Sequence, residues 1–247
     1  MDLGLTDRVY LVTGGSRGLG RATAAALVAE GARVLVTGRD EDTVASAAAE
    51  LGAVGIACDN ADPATPARLL AAAREHYGRV DGLLLSVGGP PPGPATAVTD
   101  DQWRDAFESV FLGAVRLARE VGAALEEGGS IGFVLSSSVR VPIAALGISN
   151  GLRPGLAMVA KSMADELGPR GVRVNGLLPG RVATDRLAVV DERSTPEQRA
   201  AALAAIPLGR YGDPAEFGRV AAFVLSPAAS YLTGAMIPVD GGMLPGL

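Results

Sequence analysis

Residues 13–20 read TGGSRGLG, a run that follows a β-branched apolar stretch and leads into an alanine-rich one. Glycines let the backbone come close to a bound group, and the amides opening a helix carry partial positive charge. A turn of this kind can cradle a phosphate or pyrophosphate, provided that it joins a strand to a helix. Two arginines bear on the same place. Arg17 lies inside the turn, and Arg39 follows the next apolar run, VLVTG at 34–38. Guanidinium groups converging there would grip a further phosphate through paired N–H donors.

Other chemistries find little support. Cys58 is the single cysteine, so no intramolecular disulfide is available and no metal-binding companion accompanies it. No metal site is expected. The one histidine, His76, stands beside Tyr77 at the end of a helical stretch and reads as a surface residue. With net charge −5 and its 22 Lys and Arg scattered, the chain has no basic patch for nucleic acid or an anionic membrane. No run is long enough to span a bilayer. MDLGLTDRVY, at the start, lacks a basic segment followed by an apolar one, so no secretory signal and a cytoplasmic location are expected.

The elements that must position these residues alternate regularly. Strands are predicted at 8–13, 33–37, 54–58, 81–87, 130–136, 172–178 and 234–239. Helical patterns fall at 18–30, 41–51, 63–77, 100–126, 150–167 and 214–225. Near-continuous apolar strands separated by helices imply a parallel sheet covered on both faces. The expected fold is α/β: a single doubly wound domain over 1–247, with about seven strands and ligands at their carboxyl ends. The loop GGPPPGP (88–94) reads as a segment stiffened by its prolines. Residues 185–206 read as a flap, whose Leu187, Val189, Val190, Leu203 and Ile206 hint at an apolar ligand or ordinary core contacts.

The chain resembles the short-chain dehydrogenase/reductases, close to the 3-oxoacyl-carrier-protein reductases. The likeness runs from about Arg8 to Gly242 and rests on TGGSRGLG, on Asp59 after the third strand, on PGRVAT (179–184) and on the long tail at 209–242. It implies a Rossmann-type fold binding a nicotinamide dinucleotide. Gly14, Ser16, Gly18, Leu19 and Gly20 would surround the pyrophosphate and adenosine ribose. Asp59 would meet the adenine, with Asn60 beside it, and Gly88 would lie under the adenosine side. Val182 and Thr184 would reach the nicotinamide carboxamide. Turns of this class that select NAD place an acid at the end of the second strand. Here Thr37 and Gly38 stand there, Arg39 follows, and Asp40 reads as a helix N-cap pointing away. NADP(H) is therefore expected in preference to NAD(H). The family's oligomers imply a homo-oligomer, a tetramer in particular.

Departures appear where the family places its chemistry. There a tyrosine and a serine polarise the carbonyl, a lysine four residues after the tyrosine holds the nicotinamide ribose, and an asparagine on an earlier helix relays protons. The matching stretch here is GISNGLRPGLAMVAK (147–161). The register of RPGL puts Ser149 at the tyrosine and Arg153 at the lysine, and counting back gives Ser136 as the serine. Val110 falls at the asparagine, and Leu85-Ser86-Val87-Gly88 replaces the usual Asn-Asn-Ala-Gly. Serine is a far weaker acid than a phenol and shorter by a ring, and arginine does not release a proton near neutrality. Pro154 implies that the helix starts near Ser149 or Asn150, one of them capping it, or that it kinks.

Three functions remain compatible with this set. The first is NADP(H)-dependent reduction of a small carbonyl substrate, or oxidation of the alcohol, through Ser136, Ser149 and Arg153 as a rebuilt proton-donor site. The others are a catalytically silent NADP(H)-binding sensor or partner subunit, and non-redox lyase or isomerase chemistry on the same scaffold.

Overall fold

The computed structural model describes residues 1–192 and 194–246, with the Val190 side chain also outside the description. Seven parallel strands form one sheet in the order β3-β2-β1-β4-β5-β6-β7. They are β1 (Val9–Val12), β2 (Arg33–Gly38), β3 (Val54–Ala57), β4 (Gly82–Leu85), β5 (Ser130–Val134), β6 (Arg173–Pro179) and β7 (Met236–Val239). Register is set at the centre, where Val12 pairs with Val36 on one side and Leu84 on the other.

Alternation along the strands divides the core in two. Val9, Leu11, Leu83 and Leu85 face one side and are fully buried with Leu117, Val121, Ile148 and Leu156. These last belong to α5 (Gly113–Ala124) and α6 (Gly147–Leu167), which share that face with α3 (Thr65–Tyr77). Tyr10, Val12, Val34 and Val36 face the other side, against Leu27 of α1 (Gly18–Ala29) and Phe217 and Leu225 of α9 (Pro214–Leu225). Each large apolar side chain so buried contributes about 1.5–3 kcal/mol. Gly218 lets α1 and α9 touch, since a Cβ there would run into the Ala22 carbonyl.

Strand and helix boundaries agree with the sequence reading to within a few residues, and α2 (Glu41–Leu51) and α9 match it outright. Two helices differ. The helix expected over 100–126 consists of α4 (Asp100–Ala106), a π-helical turn (Phe107–Leu112) and α5. Helix α6 starts at Gly147, before the expected Ser149 or Asn150, and carries Pro154 in its interior. Neither residue caps it. The Asn150 side chain instead bonds the amide and carbonyl of Ile143 at 2.9 and 2.8 Å. The proline-rich loop supplies the start, because Gly147 donates to the Gly93 carbonyl at 2.9 Å while Gly93 donates to Ala145 at 2.7 Å. Ala145 pays for this clamp with a left-handed backbone, φ 58°. The expected flap is two helices, α7 (Asp185–Glu192) and α8 (Pro196–Ala204). Of its apolar residues Ile206 is core, Leu187 and Leu203 are half-buried, Val189 is exposed, and Val190 lies outside the described side chains.

Candidate active site

The strand order reverses between β1 and β4, which opens a crevice at the carboxyl ends of the central strands. The turn TGGSRGLG enters it. Gly14 and Gly18 have φ of 57° and 53°, a region costly for side-chain-bearing residues. A Cβ at Gly14 would collide with the Ser86 carbonyl, and one at Gly20 with the Gly14 carbonyl. Thr13 ties this turn to the end of β4 by accepting from the Ser86 amide at 3.0 Å. Helix α1 begins at Gly18 with Arg17 as N-cap and no side-chain cap. Its opening amides therefore keep their positive end for an outside acceptor.

Ser16, Arg17, Gly18 and Arg21 line one wall of a cleft of about 310 Å³, and Ala183, Thr184 and Asp185 line the other. Leu19 packs against the core behind the turn. A Cβ added at Gly18 would lie 3.6 Å from the Thr184 methyl, so the loop after β6 faces the glycine-rich turn across this cleft. Val182 is buried and pairs with Gly212, which anchors that loop. Of the sequence-predicted residues, Ser16, Arg17, Gly18 and Thr184 thus line one space, while Leu19 and Val182 stand behind it.

At the far end, Arg17 Nη2 donates to Thr43 Oγ1 at 3.0 Å, which brings the guanidinium to the start of α2. Arg39 is exposed just past β2. Asp40 caps α2, accepting from the Thr43 amide at 2.9 Å and from its hydroxyl. These bonds hold the Asp40 carboxyl below its usual range, so its charge is engaged with the helix. Asp59 is exposed and accepts from the Ala61 amide at 2.9 Å, while the Asn60 backbone packs on Gly113. Gly88 faces open space.

The catalytic candidates lie where β4 and β5 end. Ser149 and Arg153, one turn apart on α6, are both buried, 7% and 5% exposed. Ser149 Oγ lies 3.2 Å from Ser138 Oγ, and either hydroxyl can donate. Ser136, half-buried, instead accepts from the Ser138 amide at 3.1 Å and caps a short 3-10 turn. Ser138 thus joins the site although counting along the chain points to Ser136. Spacing along the chain carries no information on how the three consecutive serines turn after β5. Arg153 donates from Nη1 to the Val134 carbonyl at 2.8 Å and from Nη2 to Val87 at 3.2 Å. Burial, reinforced by the charge of Arg186, pushes its pKa down to about 10, so it stays protonated at neutral pH.

Val110 is buried within the π-helical turn, a device frequent at functional sites, but it offers no polar group. The four tyrosines lie elsewhere. Tyr10 is in the core and its pKa is raised to about 12, chiefly by burial. Tyr77 donates to Val34 from α3, and Tyr231 is fully exposed. Tyr211 reaches the flap instead, where burial and then Asp191 raise its pKa. His76 is exposed, and the described residues contain no His, Cys, Asp and Glu group suited to a metal. No helix among them is long and apolar enough to cross a membrane.

Relatives cover almost the whole chain. A family model described as enoyl-(acyl carrier protein) reductase matches residues 14–244. The 3-oxoacyl-(acyl-carrier-protein) reductase FabG of Salmonella typhimurium is 34% identical over 240 residues, which is 96% of this chain and 97% of the relative. Among solved structures, a candidate short-chain alcohol dehydrogenase of Sinorhizobium meliloti 1021 superposes with a TM-score of 0.93 at 32% identity, covering 100% of both chains. The L-sorbose reductase of Gluconobacter frateurii, complexed with NADPH and L-sorbose, gives 0.91 at 27% identity, again over 100% of both.

Proposed function

The chain belongs to the short-chain dehydrogenase/reductase family, and from that premise we propose that it is an NADP(H)-dependent oxidoreductase acting on a small carbonyl or alcohol substrate through a rebuilt donor site. The crevice fits the dinucleotide. Gly14 and Gly20 leave room for close backbone approach, the uncapped start of α1 suits a pyrophosphate, and Arg17 with Arg39 suits a 2′-phosphate. Asp59 and Asn60 stand for the adenine, and Gly88, Val182 and Thr184 border the remainder. When bound, this cofactor supplies the hydride.

One observation carries the reading: a buried hydroxyl pair, Ser138 and Ser149, stands one helical turn from a buried guanidinium. Hydride addition to a carbonyl builds negative charge on its oxygen, and fixed donors in a buried site stabilise that charge. Ser149 would donate to this oxygen, Ser138 would orient Ser149, and the charge on Arg153 would favour the alkoxide. Ser136 is the alternative donor to Ser149, since the residue is only half-buried and its hydroxyl proton has no acceptor among the described residues.

The test is rapid mixing of the NADPH-loaded protein with ketones, enones and acyl thioesters, following one turnover by absorbance. Ser149→Ala should slow hydride transfer about 10²–10⁴-fold, the range of general acid catalysis. An unchanged rate in both Ser149→Ala and Ser136→Ala would remove the rebuilt donor. NADPH binding without oxidation by any of these compounds would leave a sensor or partner subunit.

We further infer a homo-oligomer, in particular a tetramer, built through the faces of α4, α5 and α6. Phe107 and Met158 are exposed there at 42% and 70%, and Phe107 stacks on Phe111 at 5.3 Å. Trp103, Phe107 and Leu152 line a shallow groove between the helices.

A further inference from the structure

Two guanidinium groups converge on the segment that follows β4, one on Val87 and the other on Gly89 and Pro90. Arg153 comes from α6 and is held by the Val134 and Val87 carbonyls. Arg186, in the first turn of α7, reaches in from the flap. Its Nη2 donates to the Pro90 carbonyl at 3.3 Å, and its guanidinium lies so close over Gly89 that any Cβ there would collide with it. The two cations are near enough for Arg186 to weigh on the protonation of Arg153. Neither forms an ion pair with an acid among the described residues.

A second buried arginine shows what a purely structural role looks like in this fold. Arg173 donates to the carbonyls of Val224, Leu225, Ser226 and Leu232, which ties α9 to the segment before β7. Burial is the main influence lowering its pKa, and the charge of Arg8 adds to it. Arg153 differs in its acceptors. It has two carbonyl acceptors rather than four, and each of its terminal nitrogens keeps a second N–H. Carbonyl dipoles solvate such charges without neutralising them, and the burial of Arg153 strengthens its repulsion by Arg186, which is itself exposed. An oxyanion placed between the two would accept from both and remove the repulsion.

We propose that Arg153 and Arg186 together receive an oxyanion carried by the substrate, the carboxylate of a keto acid being the smallest case. The proposal rests on the oxidoreductase reading, for it places this anion next to the carbonyl held by Ser149. Arg186 then has a second consequence. It stands on the flap, so binding the anion also fixes α7 against the loop at Gly89 and Pro90.

Calorimetry with acetoacetate and its neutral methyl ester, at constant ionic strength and with or without saturating NADPH, tests the pair without needing turnover. Acetoacetate should bind at least about tenfold more tightly than the ester. Arg186→Gln should abolish that preference and Arg186→Lys should retain part of it, with circular dichroism confirming the fold of each. Equal affinity for acid and ester in the unmodified protein would overturn the proposal. So would an Arg186→Gln protein that keeps the preference but loses NADPH affinity, because the guanidinium would then serve the cofactor's own phosphates. A failure of NADPH to be oxidised by any carbonyl counts against the oxidoreductase reading alone, since the titrations report the anion separately.

Discussion

At Arg39 a single side chain separates two cofactors. The 2′-phosphate of NADPH needs a cation where NADH needs an acceptor for its ribose hydroxyl. Arg39 is exposed and free to turn toward that phosphate, whereas the adjacent Asp40 is engaged with Thr43 at the start of α2. Arg39→Asp should therefore weaken NADPH binding by about tenfold or more, the scale of one charge-assisted contact, and bring NADH into preference. Fluorescence titration of both nucleotides checks it. An unmodified protein that prefers NADH would refute the role given to Arg17 and Arg39 together.

Helix α6 concentrates the unusual features of the molecule, and they act together. Gly147 permits the loop contact at its start, since a Cβ there would meet the Ala95 backbone at 2.6 Å. Ser149 and Arg153 share its site face, and Pro154 follows directly. Proline has no N–H for the Asn150 carbonyl, one turn back, and disfavours helical geometry at the residue before it, here Arg153. Pro154→Ala would restore that hydrogen bond. Chemical denaturation should show a gain of about 1–3 kcal/mol. Single-turnover reduction should become slower if the proline sets the placement of Ser149 and Arg153, since the restored bond would shift the turn that carries them. A less stable Pro154→Ala protein would show that the proline is matched to its surroundings and sets no strain on the site.

Across the whole molecule, the two core layers leave the outer face of α4–α5–α6 with apolar groups that the chain itself does not cover. Phe107→Glu places a charge on this face without touching either core. If the face joins copies, light scattering should find a tetramer in the unmodified protein and smaller species in the variant, with unchanged circular dichroism. A monomer across a wide concentration range of unmodified protein would refute the assembly.

Local patterns were enough for the sequence to determine the α/β alternation, the phosphate turn with its glycines, the Asp40 cap and the absence of a phenol at 149. Each depends on the period of apolar residues, on backbone freedom or on residue identity, all of which are short-range properties. Tertiary structure decided the rest. Which serine faces Ser149 depended on how the chain turns after β5: the Ser136 hydroxyl is used as a cap and Ser138 is turned toward α6. The start of α6 followed from a loop more than fifty residues earlier, whose Gly93 exchanges hydrogen bonds with Ala145 and Gly147. Arg186 gave no sign in the sequence of standing near Arg153. The two are thirty-three positions apart and reach the same segment after β4 only because α7 folds back over it, a long-range arrangement that no local pattern encodes.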